Sequence, residues 1–250
     1  MRRFGSCLAA VSVVFVSTAG VATATPTVTL KAALGGLKPR KHVFGAPATA
    51  EYQLSIRSNE YDGAPPPLER VVLGLPMGLV VNDAGFTSCS EETLRDDGPS
   101  ACPKGSAIGP TGSAQAWVSF GGERVPEALD VESYNDEGHV NVLLEGHSPV
   151  LVEAVATGIY PHLKPTPELS IAVPPEETVP GAPLLSLEAL SLKLGALLKH
   201  KKEIHSYFTG PAKCPASGTV TFTAALTFAA FSGNAQQTVT RSYAQTCPKE

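Results

Sequence analysis

Cys89, Cys102, Cys214 and Cys247 are the residues best suited to chemistry, and two fates compete for them. Zinc binding prefers C-x2-C pairs or cysteines with nearby histidines, and neither spacing occurs here. Oxidation needs only an even number of thiols in an oxidising compartment. Four cysteines allow three pairings. The expected one joins neighbours, Cys89 to Cys102 and Cys214 to Cys247. The first bond would close a 14-residue loop, worth about 3 kcal/mol on the chain-entropy argument. The second would bracket the open end of a C-terminal hairpin. These sulfurs read as structural, with no catalytic, cofactor-binding or metal role.

The other reactive types make weaker patterns. Gly146-His147-Ser148-Pro149-Val150 begins like a nucleophile elbow but lacks its last glycine. Pro149 has no N–H to offer an oxyanion, so the segment reads as a turn between strands. Glu132, Glu145 and Glu153 fall on neighbouring expected strands and are the candidates for a carboxylate pair of the glycosidase type. Outward-facing strand carboxylates account for them equally well. His42, His139, His147, His162, His200 and His205 are scattered singly, and Asp96-Asp97 lacks the alternating ligands of a calcium loop. Residues 105–109, GSAIG, lack a third glycine and a following helix, so no nucleotide-binding loop is indicated. Trp117, Tyr134 and Tyr160 would make a sugar-stacking platform only if one exposed face gathered them; packing in or beside the core is the expectation. Residues 199–205, KHKKEIH, form the one basic cluster and read as a charged turn or protected edge, with anionic-polymer binding as the sharper alternative.

Arg2 and Arg3 precede a short apolar run, and Ala22-Thr23-Ala24 follows with the small residues of a cleavage site. That is the layout of a secretory signal, too short to anchor the chain in a bilayer. Residues 1–24 are therefore expected to be removed, leaving 25–250 as one domain without a transmembrane segment. Its formal charge falls from -4 to -6 with the loss of the two arginines. An acidic surface without interleaved aromatic and basic residues argues against nucleic acid as a partner.

The elements that must position these residues are strands. Tyr52, Leu54 and Ile56 alternate with polar neighbours, as do Val220, Phe222, Ala224, Leu226 and Phe228. This is the two-residue period of half-buried strands. Residues 71–75 are continuously apolar, which places them inside a sheet, and residues 150–160 are apolar on both faces. Ser88 followed by Glu91 suggests a capping box for one or two helical turns inside the first cysteine loop. Residues 184–198 are ambiguous. Leu187, Leu190, Leu194 and Leu197 fit a helix, whereas Leu190, Leu192 and Leu194 fit a strand, which the surroundings favour. Roughly ten short strands and one helix predict an all-β, two-sheet antiparallel sandwich with one short helix in a disulfide-closed loop.

Leu75-Pro76-Met77-Gly78-Leu79-Val80, the following Cys89, Cys102-Pro103 and Ser106-Ala107-Ile108-Gly109, with Cys214-Pro215 and Cys247 around the last hairpin, carry a resemblance. The chain resembles uncharacterised secreted β-rich proteins of actinobacteria, although Val81-Asn82-Asp83 replaces a Gly-Asn-Pro continuation. The resemblance implies an exported β-sandwich and brings no catalytic residues with it. The sequence thus reads as a non-catalytic binding or structural module of the cell envelope or extracellular space. Its cofactors are none, and a cell-wall or extracellular polymer is its candidate partner. A secreted hydrolase working through carboxylates from separate strands is the alternative.

Overall fold

The computed structural model describes residues 25–37, 42–160, 167–178, 180–200, 203–231 and 235–247. The signal-like segment, residues 1–24, lies outside them. The chain is built from β1 (Thr27–Gly36), β2 (Pro47–Arg57), β3 (Leu68–Gly74), β4 (Val80–Val81), α1 (Glu91–Asp97), β5 (Gly112–Phe120) and β6 (Glu123–Asp136). It continues through β7 (His139–Gly146), β8 (Val152–Ile159), β9 (Glu168–Ala172), β10 (Ser186–Leu194), β11 (Leu197–His200) and β12 (Glu203–Ser206). The last elements are β13 (Phe208–Thr209), β14 (Thr219–Phe228) and β15 (Gln237–Thr246).

One antiparallel sheet runs β1-β2-β10-β5-β6-β7-β8-β9-β3-β14-β15, with β13 and β4 added beside the start of β2. It folds over on itself into two layers. The corner is β6, whose first half pairs with β5 (Glu123↔Phe120 to Val131↔Gly112) and whose second half pairs with β7 (Leu129↔Gly146 to Asp136↔His139). Across the core Tyr52 of β2 meets Phe222 of β14 edge-to-face at 5.6 Å, and its buried hydroxyl donates to Gly74 O at 3.0 Å. The two outer strands then meet through side chains. Arg241 Nε donates to Val28 O at 2.8 Å, and the Gln245 amide exchanges hydrogen bonds with Leu34 N and Leu34 O at 2.6 and 3.3 Å. The outer edges of β1 and β15, a standing liability for intermolecular pairing, are thereby turned towards each other.

The alternating strands bury the expected faces, Tyr52, Leu54 and Ile56 on β2 and Val220 to Phe228 on β14, and β1 buries Val28, Leu30, Ala32 and Leu34. The continuously apolar β3 is interior, paired on one side with β14 and on the other with β9. The ambiguous segment is a strand, and its ambiguity has a cause. A bulge between Leu187 and Ala189 shifts the register against β5. Leu187 and Leu190 therefore both face inward three residues apart, a helical spacing produced by an extra strand residue. At the β5–β6 hairpin Gly121 and Gly122 take φ of 61° and 86°, the left-handed pair that a two-residue turn requires.

Both disulfides join neighbours, Cys89 to Cys102 and Cys214 to Cys247. Inside the first lies α1, beginning two residues later than the capping box suggested. Its N-cap is Ser90, whose hydroxyl accepts from Thr93 N at 3.1 Å. Ser88 instead donates to Asp136 Oδ1 at 2.6 Å, because the chain at that point is still pinned to the end of β6. Cys89 N donates to Asn135 O at 2.8 Å in the same strap. The helix lays Leu94 with the disulfide on Tyr134, Leu143 and Val155, the outer face of β6, β7 and β8. That cover is why Val155 is buried on the outer face of β8, where Glu153 and Thr157 make the rest of the face more polar than the sequence suggested.

Candidate functional site

The cysteines hold loops and line neither of the two cavities described below. The elbow-like segment is the β7–β8 turn, with a cis Ser148–Pro149 bond, and its hydrogen bonds run to one buried carboxylate. Glu127, at the β6 corner, accepts from Ser148 N at 3.1 Å and Val150 N at 3.2 Å. Two of the segment's backbone N–H groups are thus committed to holding a turn. Residues 105–109 are held for packing: Ile108 N donates to Ser133 O, Gly195 N donates to Ile108 O, and a Cβ on Gly109 would stand 2.1 Å from Lys193 O. Its glycine allows close approach to β10, not to phosphate.

Trp117 sits half-buried on β5, Tyr134 is packed beneath α1, and the Tyr160 hydroxyl is buried beside Tyr207. The three aromatics lie apart. Lys199, His200 and residues 203–205 belong to the β11–β12 hairpin, where His205 stands 3.6 Å from Glu203; Lys201 and Lys202 lie outside the described residues, as does His162. His42, His139 and His147 are exposed, and Asp96 and Asp97 close α1. Among the described residues no group of three His, Cys, Asp or Glu side chains is placed to hold a metal ion.

The three candidate carboxylates do come together, on the outer face of β6, β7 and β8. Asp130, Glu145 and Glu153 are successive cross-strand partners, and Glu132 lies one pleat along β6, accepting from the Tyr134 hydroxyl. Burial and then the charges of Glu132 and Glu153 raise the pKa of Glu145. Burial, with the Glu132 hydrogen bond, raises that of Tyr134. Like charges directly opposite repel, so this row is held together by the sheet rather than by attraction.

The feature that sequence reading missed lies inside. A cavity of about 220 Å³ opens between the layers. Its floor is Val142, Leu144, Ala154 and Ala156, its roof is Leu187, Leu190 and Leu192 of β10, and Leu68, Val71 and Ile171 form a side. Two local causes create it. Where neighbouring strands put valine and leucine inward, β8 puts Ala154, Ala156 and Gly158, so one wall is set back. And β9 is short: its pairing ends at Ala172, after which Val173 N donates to Glu69 O and Pro174-Pro175 have no N–H with which to continue. The wall between the start of β8 and β3 is therefore filled by a strap instead of a strand. The strap is pinned by Thr178 Oγ1 to Ser119 O at 2.6 Å, by Leu185 N to Glu176 O at 2.8 Å, and by Leu184 N to the Tyr61 hydroxyl at 3.0 Å.

Beside the strap a second cavity of about 130 Å³ is lined by Leu151, Val152, Glu153, Glu176, Glu177, Thr178 and Leu185. Glu176 and Leu185 line both cavities, so the apolar chamber meets an acidic vestibule at the strap. Among the described residues, Glu176 and Glu69 supply the only charged side chains of the inner chamber. Burial raises the pKa of Glu176, opposed by the nearby Arg95 guanidinium. Leu151, 76% exposed, adds an apolar lip. Small residues on an inward face followed by a double proline, Ala154, Ala156 and Pro174-Pro175, are the sequence signal that would have pointed here and was not read. Searches against protein families, curated proteins and solved structures find no match to the chain.

Proposed function

We propose that the protein is exported, loses residues 1–24, and acts at the cell envelope or outside the cell as a non-catalytic binding module holding an apolar molecule within its sandwich. The observation that carries this is the apolar chamber between the layers. An apolar cavity of about 150 Å³ stays dry and accepts benzene, so the larger one here has room for an apolar group of about nine carbons. Two disulfides support an oxidising location, and no helix among the described residues is long and apolar enough to cross a membrane. Propylbenzene tests the reading. Ligand bound only by the folded state raises the Tm with concentration. The wild-type protein is expected to respond, and Ala156→Leu, or Ala154→Val if the first misfolds, is expected not to. An unchanged wild-type Tm at saturating propylbenzene would refute the chamber as a ligand site.

The adjacency of Glu145 and Glu153 favours the hydrolase alternative. Release of reducing sugar from cell-wall polysaccharide, abolished by Glu145→Gln, would displace the binding reading.

A further inference from the structure

Resting on the reading of the chamber as a ligand site, we infer that its ligand is a single-chain amphiphile whose alkyl tail fills the chamber and whose head, in the vestibule, is cationic.

The vestibule decides the head. Its side chains include Glu153, Glu176 and Glu177 and no Lys, Arg or His, and Glu69 stands at the inner chamber's edge. The two arginines close by are already engaged. Arg95 pairs with Glu91 one turn earlier on α1. Arg124 donates to Leu184 O at 2.9 Å and Ser186 Oγ at 2.7 Å while lying over the Tyr61 ring at 4.9 Å. A carboxylate or phosphate head would face three carboxylates, and among the described residues the nearby cations, Arg95 and Arg124, already have partners. An ammonium head would find carboxylate acceptors from Glu153, Glu176 and Glu177 and a favourable charge interaction with them. The chamber decides the tail. Apart from Glu69 and Glu176, the side chains that line it are aliphatic or proline, and its size suits one chain of about nine carbons rather than two. The exposed Leu151 at the lip covers the first methylenes below the head.

Three probes of equal chain length, decylammonium, decanol and decanoate, titrated by calorimetry below their micelle concentrations near neutral pH, test the inference. Decylammonium is expected to bind about tenfold tighter than decanoate, the scale of a partly exposed charge interaction, with decanol between. The Glu153→Gln/Glu176→Gln/Glu177→Gln variant should bring the two charged probes within about threefold of each other while decanol is unaffected. Decanoate binding as tightly as decylammonium, or a ratio unchanged in the triple variant, overturns the choice of head and leaves the chamber standing. Decylammonium binding Ala156→Leu as it binds the wild type is surface adsorption and also overturns it. Failure of all three probes together with propylbenzene refutes the chamber itself.

Discussion

Glu145 shows how a single side chain records its surroundings. On a free chain it is an ordinary surface carboxylate; in the fold it stands between Asp130 and Glu153 with Glu132 nearby, partly desolvated. Its pKa is therefore higher folded than unfolded. The unfolded chain releases this proton first as pH rises, so the folded state holds more protons and stability falls through that window. The penalty is absent below the ordinary carboxylate value of about 4.5 and fully developed above the raised one. Glu145→Gln is expected to raise the midpoint of urea unfolding at neutral pH and to leave it unchanged near pH 3. An equal effect at both pH values would show that charge is not the cause.

At the scale of elements, α1 depends on its staple. Seven residues are too few for an isolated helix. Ser90 caps it, Arg95 pairs with Glu91, and Leu94 anchors it on Leu143 and Val155, but the Cys89–Cys102 bond holds the loop ends together. Replacing both cysteines by serine should cost about 3 kcal/mol of unfolding free energy. Amide exchange should speed up in α1 before it does in β7 or β8. Uniform acceleration across the sheet would mean the bond serves the whole core. The strap obeys the same logic in reverse. Pro174-Pro175 end the ladder, and side-chain hydrogen bonds take over the pinning that strand pairing would have supplied.

For the whole molecule, closure of the folded sheet rests on a seam of side chains. Arg241 and Gln245 reach from β15 to the backbone of β1 where a closed barrel would have ladder bonds. The Arg241→Ala/Gln245→Ala variant leaves both edges unpaired. It should lose about 1–3 kcal/mol, and its Leu34 amide should exchange faster. Concentration-dependent association through the exposed edges should follow. A monomeric variant with wild-type Leu34 exchange would show that the seam closes without these side chains.

The two-residue alternation in β2 and β14 determined strands and their buried faces, because a strand reads its own pattern locally. The cysteine count and spacing carried the expected staples, and Gly121-Gly122 carried its hairpin. Where two local signals competed, sequence misled: Ser88 and Ser90 could each cap a helix, and only the contact of Ser88 with Asp136 decided between them. The bulge at Leu187–Ala189 is likewise a property of pairing with β5, which no single segment contains. The chamber belongs to this second class. Ala154 and Ala156 are merely small until β10 is laid across them, and Glu153, Glu176 and Glu177 are merely acidic until the strap brings them to one opening. Periodicity fixes which way each strand faces; empty volume and converging charge arise only between layers, from which strand meets which.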